Sequence, residues 1–336
     1  MTRQDSVVKR ALVRTRLPRL RPDPMTLKRR RQSYARSCVL CLVISATIPW
    51  SYLRVKFFQS PNTAVILTLQ GTIDSDQLEQ AAAKVLFSHI SQHHHLYEPV
   101  IVYEGRKHDW YSVVSSLVKA SRVAERKAYG NSYDLFSGIY GAAVKPASIR
   151  WLAHNSTAKF AWIIEPDVVY CGSKWTTLFK KFASSDADLI AFNTTFRYNG
   201  NKTRWHHWRH CTFCQYLAHS ERQASILPVF RISKRLAIAT VARLSTSITG
   251  SAHHECFLPS FVTAHPETFT WIDLKHDVGY MKWRPVLTET TIPTPKVGKF
   301  YHPVKSLDLF ERLSNCQMSN FSLAGENAGL ARSGGS

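Results

Sequence analysis

Apolar positions along the chain fall into short runs separated by stretches with helical spacing, and the two kinds of segment alternate. TAVILTLQG (63–71) reads as a buried first strand ending at a glycine. SDQLEQAAAKVLFSHI (75–90) places a Ser N-cap and early acids ahead of Leu78, Ala82, Val85 and Leu86, the stripe of an amphipathic helix. EPVIVYEG (98–105) predicts a second strand and DWYSVVSSLVKASRVAERKA (109–128) a helix. STAKFAWIIEPDVVY (156–170) reads as the central strand, SKWTTLFKKFAS (173–184) as a helix and DADLIAFN (186–193) as a further strand. Residues 194–222, rich in Trp, His, Arg and Cys, read as a long loop or subdomain. RISKRLAIATVARL (231–244) predicts a basic helix, and HHECFLPSFVTAH (253–265) begins near-helical and ends before Pro266. There is no internal repeat. The alternation is that of an α/β domain with a mostly parallel central sheet flanked by helices.

Ahead of this domain the pattern changes. Residues 37–53, SCVLCLVISATIPWSYL, carry no charge. As a helix they span about 26 Å at roughly 1.5 Å per residue, against about 27 Å for a thin bilayer core. Trp50 and Tyr52 sit near one end, where interfacial aromatics belong, and LKRRRQSYAR precedes the segment. A basic flank stays on the cytoplasmic side, so the spacing predicts a basic cytoplasmic tail (1–36), a transmembrane signal anchor (37–53), a short stem (54–62) and a lumenal domain (63–315). The last residues, 316–336, read as a disordered tail. The basic region is too long for a cleaved signal peptide. The Arg-rich, acid-poor tail also leaves a mitochondrial presequence open.

Charge supports this division. The net charge is +21, and residues 1–54 hold 13 Lys and Arg against Asp5 and Asp23. The remaining excess is spread over a large domain. It suits an anionic ligand, but no RNA- or DNA-binding motif accompanies it, so no nucleic-acid partner is expected. With 44% hydrophobic residues, 9 Trp and 17 Phe, the chain is not a disordered one. Four N-glycosylation sequons, at Asn155, Asn193, Asn201 and Asn320, all follow the apolar segment. Of the seven cysteines, five lie beyond that segment. In an oxidising lumen they permit two disulfides and one free thiol, with connectivity open.

The candidate chemistry centres on Glu165-Pro166-Asp167. Proline removes a ladder donor and disfavours helix at Glu165. Residues i and i+2 of an extended stretch point the same way, so both carboxylates are expected to project from the carboxyl end of a central strand, where open α/β sheets bind ligands. Two such charges repel unless a cation neutralises them. Mg²⁺ and Mn²⁺ favour a few carboxylates plus substrate phosphates and water, which describes a nucleotide-diphosphate site. A solvated acidic turn is the plain alternative.

WIIEPDVVYCGSKWTTLFKKFASSDADLIAFN resembles the metal-binding strand and following helix of GT-A glycosyltransferases, and HHECFLPSFV, WIDL and KFYHPVK are similar to an uncharacterised branch of such proteins. The resemblance covers roughly residues 63–307. It implies a GT-A-like (Rossmann-like) fold, a nucleotide-diphosphate sugar donor and Mn²⁺ or Mg²⁺ held by Glu165 and Asp167. Glu165 stands where aspartate is common. It also implies His302 as a third metal ligand, Lys305 as a diphosphate contact, and Glu255, with Asp273, as the general base of an inverting transfer. Cys211-x-x-Cys214 with His206, His207 and His210 offers zinc ligands, but a second Cys-x-x-Cys is missing and a lumen favours disulfides. Trp205 and Trp208 are expected to stack on an acceptor sugar, or else to pack over the sheet edge. The expectation is a type II membrane glycosyltransferase of the Golgi or ER acting on a glycan or glycoprotein. A non-catalytic lectin-like or scaffolding protein on the same fold and a mitochondrial RNA-binding protein are the rivals.

Overall fold

A computed structural model describes residues 61–69, 76–103, 119–122, 125–128, 131–134, 139–140, 144–193, 196–197, 208, 211, 214, 216–245, 252–282 and 284–316. The expected tail, anchor and most of the stem therefore lie outside the described residues. Among the described residues, no helix is long and apolar enough to cross a membrane.

Seven strands form the main sheet: β1 (Thr63–Leu69), β2 (Tyr97–Tyr103), β3 (Lys119–Arg122), β4 (Phe160–Ile164), β5 (Leu189–Ala191), β6 (Val229–Ser233) and β7 (Trp271–Asp273). Their order is β3-β2-β1-β4-β6-β5-β7. All neighbours are parallel except β6, which runs antiparallel between β4 and β5. Among the described residues, six α-helices accompany them: α1 (Asp76–Ser91), α2 (Val144–His154), α3 (Trp175–Lys181), α4 (Lys234–Ser245), α5 (His254–Ala264) and α6 (Leu307–Asn315).

Strands covered on both faces read as continuous apolar runs, because neither side meets water. β1 shows the consequence of the two-residue period. Ala64 and Ile66 enter one core with residues of α2, α4 and α5. Val65, Leu67 and Leu69 enter the other with α1, α3 and α6. The expected mostly parallel sheet flanked by helices is what the chain forms.

Four segments depart from the sequence reading. Residues 119–122 and 125–128, expected inside a helix, are strands; Lys119–Arg122 pairs in parallel with β2 at Val100–Tyr103. This polar edge strand is set by tertiary pairing rather than by propensity. Residues 231–233, expected to open the basic helix, close β6 instead. Arg231 disguised that strand. Its guanidinium is buried and donates to the carbonyls of Phe182 (2.7 Å), Ser185 (2.6 Å) and Ala187 (3.1 Å), with Cζ 4.1 Å from the Phe160 ring centre. Burial lowers its pKa to about 10. The stretch 156–170 is not one strand: β4 ends at Ile164, and Val169–Tyr170 belongs to a separate three-stranded sheet with Phe300–His302 and Val278–Met281. Finally, Cys316, assigned to the tail, is part of the fold through its disulfide to Cys171, Cα to Cα 5.3 Å.

Candidate active site

β4 lies between β1 and β6, and its ladder ends where Pro166 removes a donor. The last backbone bond on that side runs from Glu165 N–H to the Pro228 carbonyl at 2.8 Å. The chain then turns, with Val168 N–H bonding the Glu165 carbonyl at 3.3 Å. The two carboxylates are thus brought together by a turn, not by the extended run the sequence suggested.

After the turn, Val169 and Tyr170 pair antiparallel with Tyr301 and Phe300. Val304 N–H continues this to the Asp167 carbonyl at 3.0 Å. That pairing carries the FYHPVK segment onto the strand end. His302 Nε2 lies 3.3 Å from Glu165 Oε2 and 3.5 Å from Asp167 Oδ2. Lys305 Nζ lies 2.6 Å from Asp167 Oδ2. Glu165, Asp167 and His302 offer ligand atoms all within 4.8 Å of one another. The sequence-predicted residues Glu165, Asp167, His302 and Lys305 therefore form one cluster.

Lys145 is a member that sequence reasoning missed. It sits in the first turn of α2, is buried, and places Nζ 2.6 Å from Glu165 Oε1. A lysine there opposes the helix dipole and needs an anion nearby. Its place among Ala142, Ala143, Val144, Pro146 and Ala147 was the available signal.

Burial alone would raise the Glu165 pKa, but Lys145 and His302 outweigh it and hold this carboxyl well below the usual range. His302 is desolvated, which disfavours its charge, yet Asp167 and Glu165 shift its pKa upward on balance. His302 Nδ1 lies 2.9 Å from the Lys282 carbonyl. A carbonyl only accepts, so Nδ1 carries the proton and Nε2 presents a lone pair in the neutral ring. A lone pair facing two carboxylates is complementary only to a proton or a cation. Two carboxylate oxygens and an imidazole nitrogen suit Mn²⁺ or Mg²⁺, so the residues fit the divalent ion that the resemblance implies.

Glu255 lies in the first turn of α5, buried, its pKa pushed up to about 7. Desolvation is the main cause and Glu165 adds to it, against the opposing pull of Lys145, the Leu227 backbone and His302. Its backbone N–H donates to His253 Nδ1 at 3.2 Å, and Ser225 N–H donates to its carbonyl at 2.8 Å. The carboxyl is thus close enough to feel the charges of the cluster.

Asp273 is placed differently. It ends β7, three strands from β4 in sheet order, and its Oδ1 accepts from the Asn193 and Lys275 N–H groups, both at 3.0 Å. It caps a turn at the sheet edge and does not join the cluster. Trp208 packs against the core on the α5 face, which is the packing alternative for this residue. Trp205, His206, His207 and His210, and the sequons at Asn201 and Asn320, lie outside the described residues. Asn155 is exposed just after α2, and Asn193 is part-buried with its N–H on Asp273.

No protein-family model and no curated protein matches the chain. Among solved structures, a complex of the galactosyltransferase LgtC with donor and acceptor sugar analogues is similar over 75% of this chain and 83% of its own, at 10% identity and a TM-score of 0.38. Mouse xyloside xylosyltransferase 1 is similar over 71% and 97%, at 13% identity and 0.37. A 4-diphosphocytidyl-2C-methyl-D-erythritol synthase from Anaerococcus prevotii is similar over 64% and 89%, at 8% and 0.37. The α/β arrangement rests on the chain's own sheet order, and at these scores the likeness says nothing about what the chain is or acts on.

Proposed function

We propose that the protein is a metal-dependent glycosyltransferase moving a sugar from a nucleotide-diphosphate sugar to a glycan or glycoprotein. The observation behind this reading is the convergence of Glu165, Asp167, His302 and Lys305 at the carboxyl end of β4. The bound divalent ion would supply Lewis-acid neutralisation of the departing diphosphate. Glu165 Oε2, Asp167 Oδ2 and His302 Nε2 would hold it. Lys145 occupies the other oxygen of Glu165 and keeps that side chain facing the cluster. Lys305 is more than half exposed, so its ammonium can leave Asp167 for the donor's phosphates. In an inverting transfer the acceptor oxygen bonds to the anomeric carbon as the carbon–diphosphate bond breaks. Glu255 would take the hydroxyl proton, and a carboxyl of pKa about 7 is matched to that work near neutral pH.

The address goes with this reading: a type II Golgi or ER membrane protein anchored by residues 37–53, with residues 63–315 lumenal. Its support is the basic flank and the position of the sequons. Loss of mass on treatment with an N-glycan-removing enzyme is the expected result, and an unchanged gel position would return weight to the mitochondrial reading.

One observation favours a second reading. Lys145 and Lys305 already neutralise the two carboxylates, so the cluster is also a self-contained ion-pair network suited to a non-catalytic protein. Calorimetry of UDP and GDP with the full chain in detergent, with and without Mn²⁺, separates the two. Metal-dependent binding that is lost in Asp167→Ala supports the transferase. Absence of binding to either nucleotide supports the ion-pair network.

A further inference from the structure

A second cluster lies in the other core. Three backbone bonds follow one another at three-residue spacing: Cys211 N–H to the Trp208 carbonyl (3.0 Å), Cys214 N–H to Cys211 (2.9 Å) and Leu217 N–H to Cys214 (3.2 Å). Residues three apart eclipse in such turns, so Cys211 and Cys214 stack on one side. Cys256, in the first turn of α5, faces them. All three sulfurs are buried and lie within 4.8 Å of one another. Cys211 and Cys256 are joined as a disulfide, and Cys214 is left as a buried thiol, 2.7 Å from Cys211 Sγ and 3.6 Å from Ser260 Oγ.

A disulfide uses two of these sulfurs and strands the third; a metal uses all three. We propose that, when the Cys211–Cys256 bond is reduced, Cys211, Cys214 and Cys256 form a binding site for a thiophilic divalent cation, zinc foremost. Zinc–sulfur bonds of about 2.3 Å place the sulfurs of a tetrahedral site roughly 3.8 Å apart, inside the 4.8 Å that bounds the three sulfurs and reached when the reduced Cys211 and Cys256 side chains move apart. Water completes the fourth position. The sequence offered the Cys-x-x-Cys pair with His206, His207 and His210; the fold adds a third sulfur from 42 residues further on, counting from Cys214 to Cys256. Soft thiolate donors set this site apart from the oxygen and nitrogen donors of the carboxylate cluster. The chemistry balances: a dithiol reductant gives two electrons and two protons to the disulfide and is itself oxidised to a disulfide. Metal binding then releases the three thiol protons. Either form ties the Cys211 segment to α5 next to Glu255, so the metal would replace the covalent tether whenever that bond is reduced.

Cobalt(II) is the probe, because thiolate ligation gives it charge-transfer absorption in the near ultraviolet that carboxylate and imidazole ligands do not. The full chain, reduced anaerobically with a phosphine and freed of excess reductant, is titrated with Co²⁺ and then Zn²⁺. Expected are thiolate bands saturating at one cobalt per chain, bleached by zinc, absent from the oxidised chain and retained in Asp167→Ala. In Cys214→Ser, which keeps the native disulfide partners, cobalt binding should weaken at least tenfold. The proposal is overturned by a reduced chain without thiolate bands, or by bands unchanged in Cys214→Ser. It is equally overturned if reduction abolishes the circular dichroism signal and cobalt does not restore it.

Discussion

Buried Lys145 and part-exposed Glu165 form an ion pair, Nζ to Oε1 2.6 Å, that joins the first turn of α2 to the end of β4. Removing one partner of a fully buried pair costs about 3–5 kcal/mol; His302 stays 3.3 Å from Glu165, so a smaller loss, about 1–3 kcal/mol, is expected here. Lys145→Met is expected to lower the urea midpoint by a corresponding amount. Lys145→Met/Glu165→Gln should recover most of the loss, because neither charge then remains. A double mutant no more stable than Lys145→Met would mean that the lysine acts through its packing alone.

The raised pKa of Glu255 makes a signed prediction for the metal-free protein. Unfolded, this carboxyl ionises near 4.5; folded, near 7. Between these values the folded chain holds a proton that the unfolded chain has lost, so stability falls as pH rises through the window, by about 1.4 kcal/mol for each unit separating the two values. His302, whose folded pKa is also raised, contributes stability below its ordinary value that is lost as pH climbs through the folded one. Both act in the same direction. Glu255→Gln should remove its share, seen as a shallower fall in melting temperature between pH 4.5 and 7.

Gly172 is held at φ +57°, and a Cβ there would stand 2.4 Å from Cys316 Cβ. Gly172→Ala therefore suffers both a left-handed backbone and a clash with the Cys171–Cys316 bridge. Cys316→Ser should cost about 2–4 kcal/mol through release of the long loop it closes. Gly172→Ala should match or exceed it and leave free thiols detectable by alkylation. An alanine variant with wild-type stability and no reactive thiol would count against this packing.

Arg231 donates to the carbonyls of Phe182, Ser185 and Ala187, tying β6 to the turn before β5. Arg231→Leu is expected to destabilise by roughly 1–3 kcal/mol for each acceptor left without a donor. Arg231→Lys should recover only part, because a single ammonium cannot span the fork. Chemical denaturation of the two variants decides the matter.

The order of residues alone determined a good deal. The continuous apolar runs within TAVILTL and FAWII identify strands buried on both faces, because successive side chains point to opposite sides and neither side meets water. Pro166 predicted where the β4 ladder ends, because a missing N–H is a local property. The grouping of Glu165, Asp167, His302 and Lys305 was legible through resemblance, although 137 positions separate Glu165 from His302.

Tertiary structure alone decided the rest. Whether KASR is helix or strand depended on the free edge of β2. Whether Arg231 marks a helix or a strand depended on three carbonyls of the turn before β5. Lys145 entered the site because α2 lays its first turn beside the strand end, and Asp273 stayed out because β7 is three strands away. Cys256 reached the Cys211–Cys214 turn only because α5 packs beside it. Each of these outcomes rests on a contact between distant segments, and the free energy of such a contact exists only once the chain has folded.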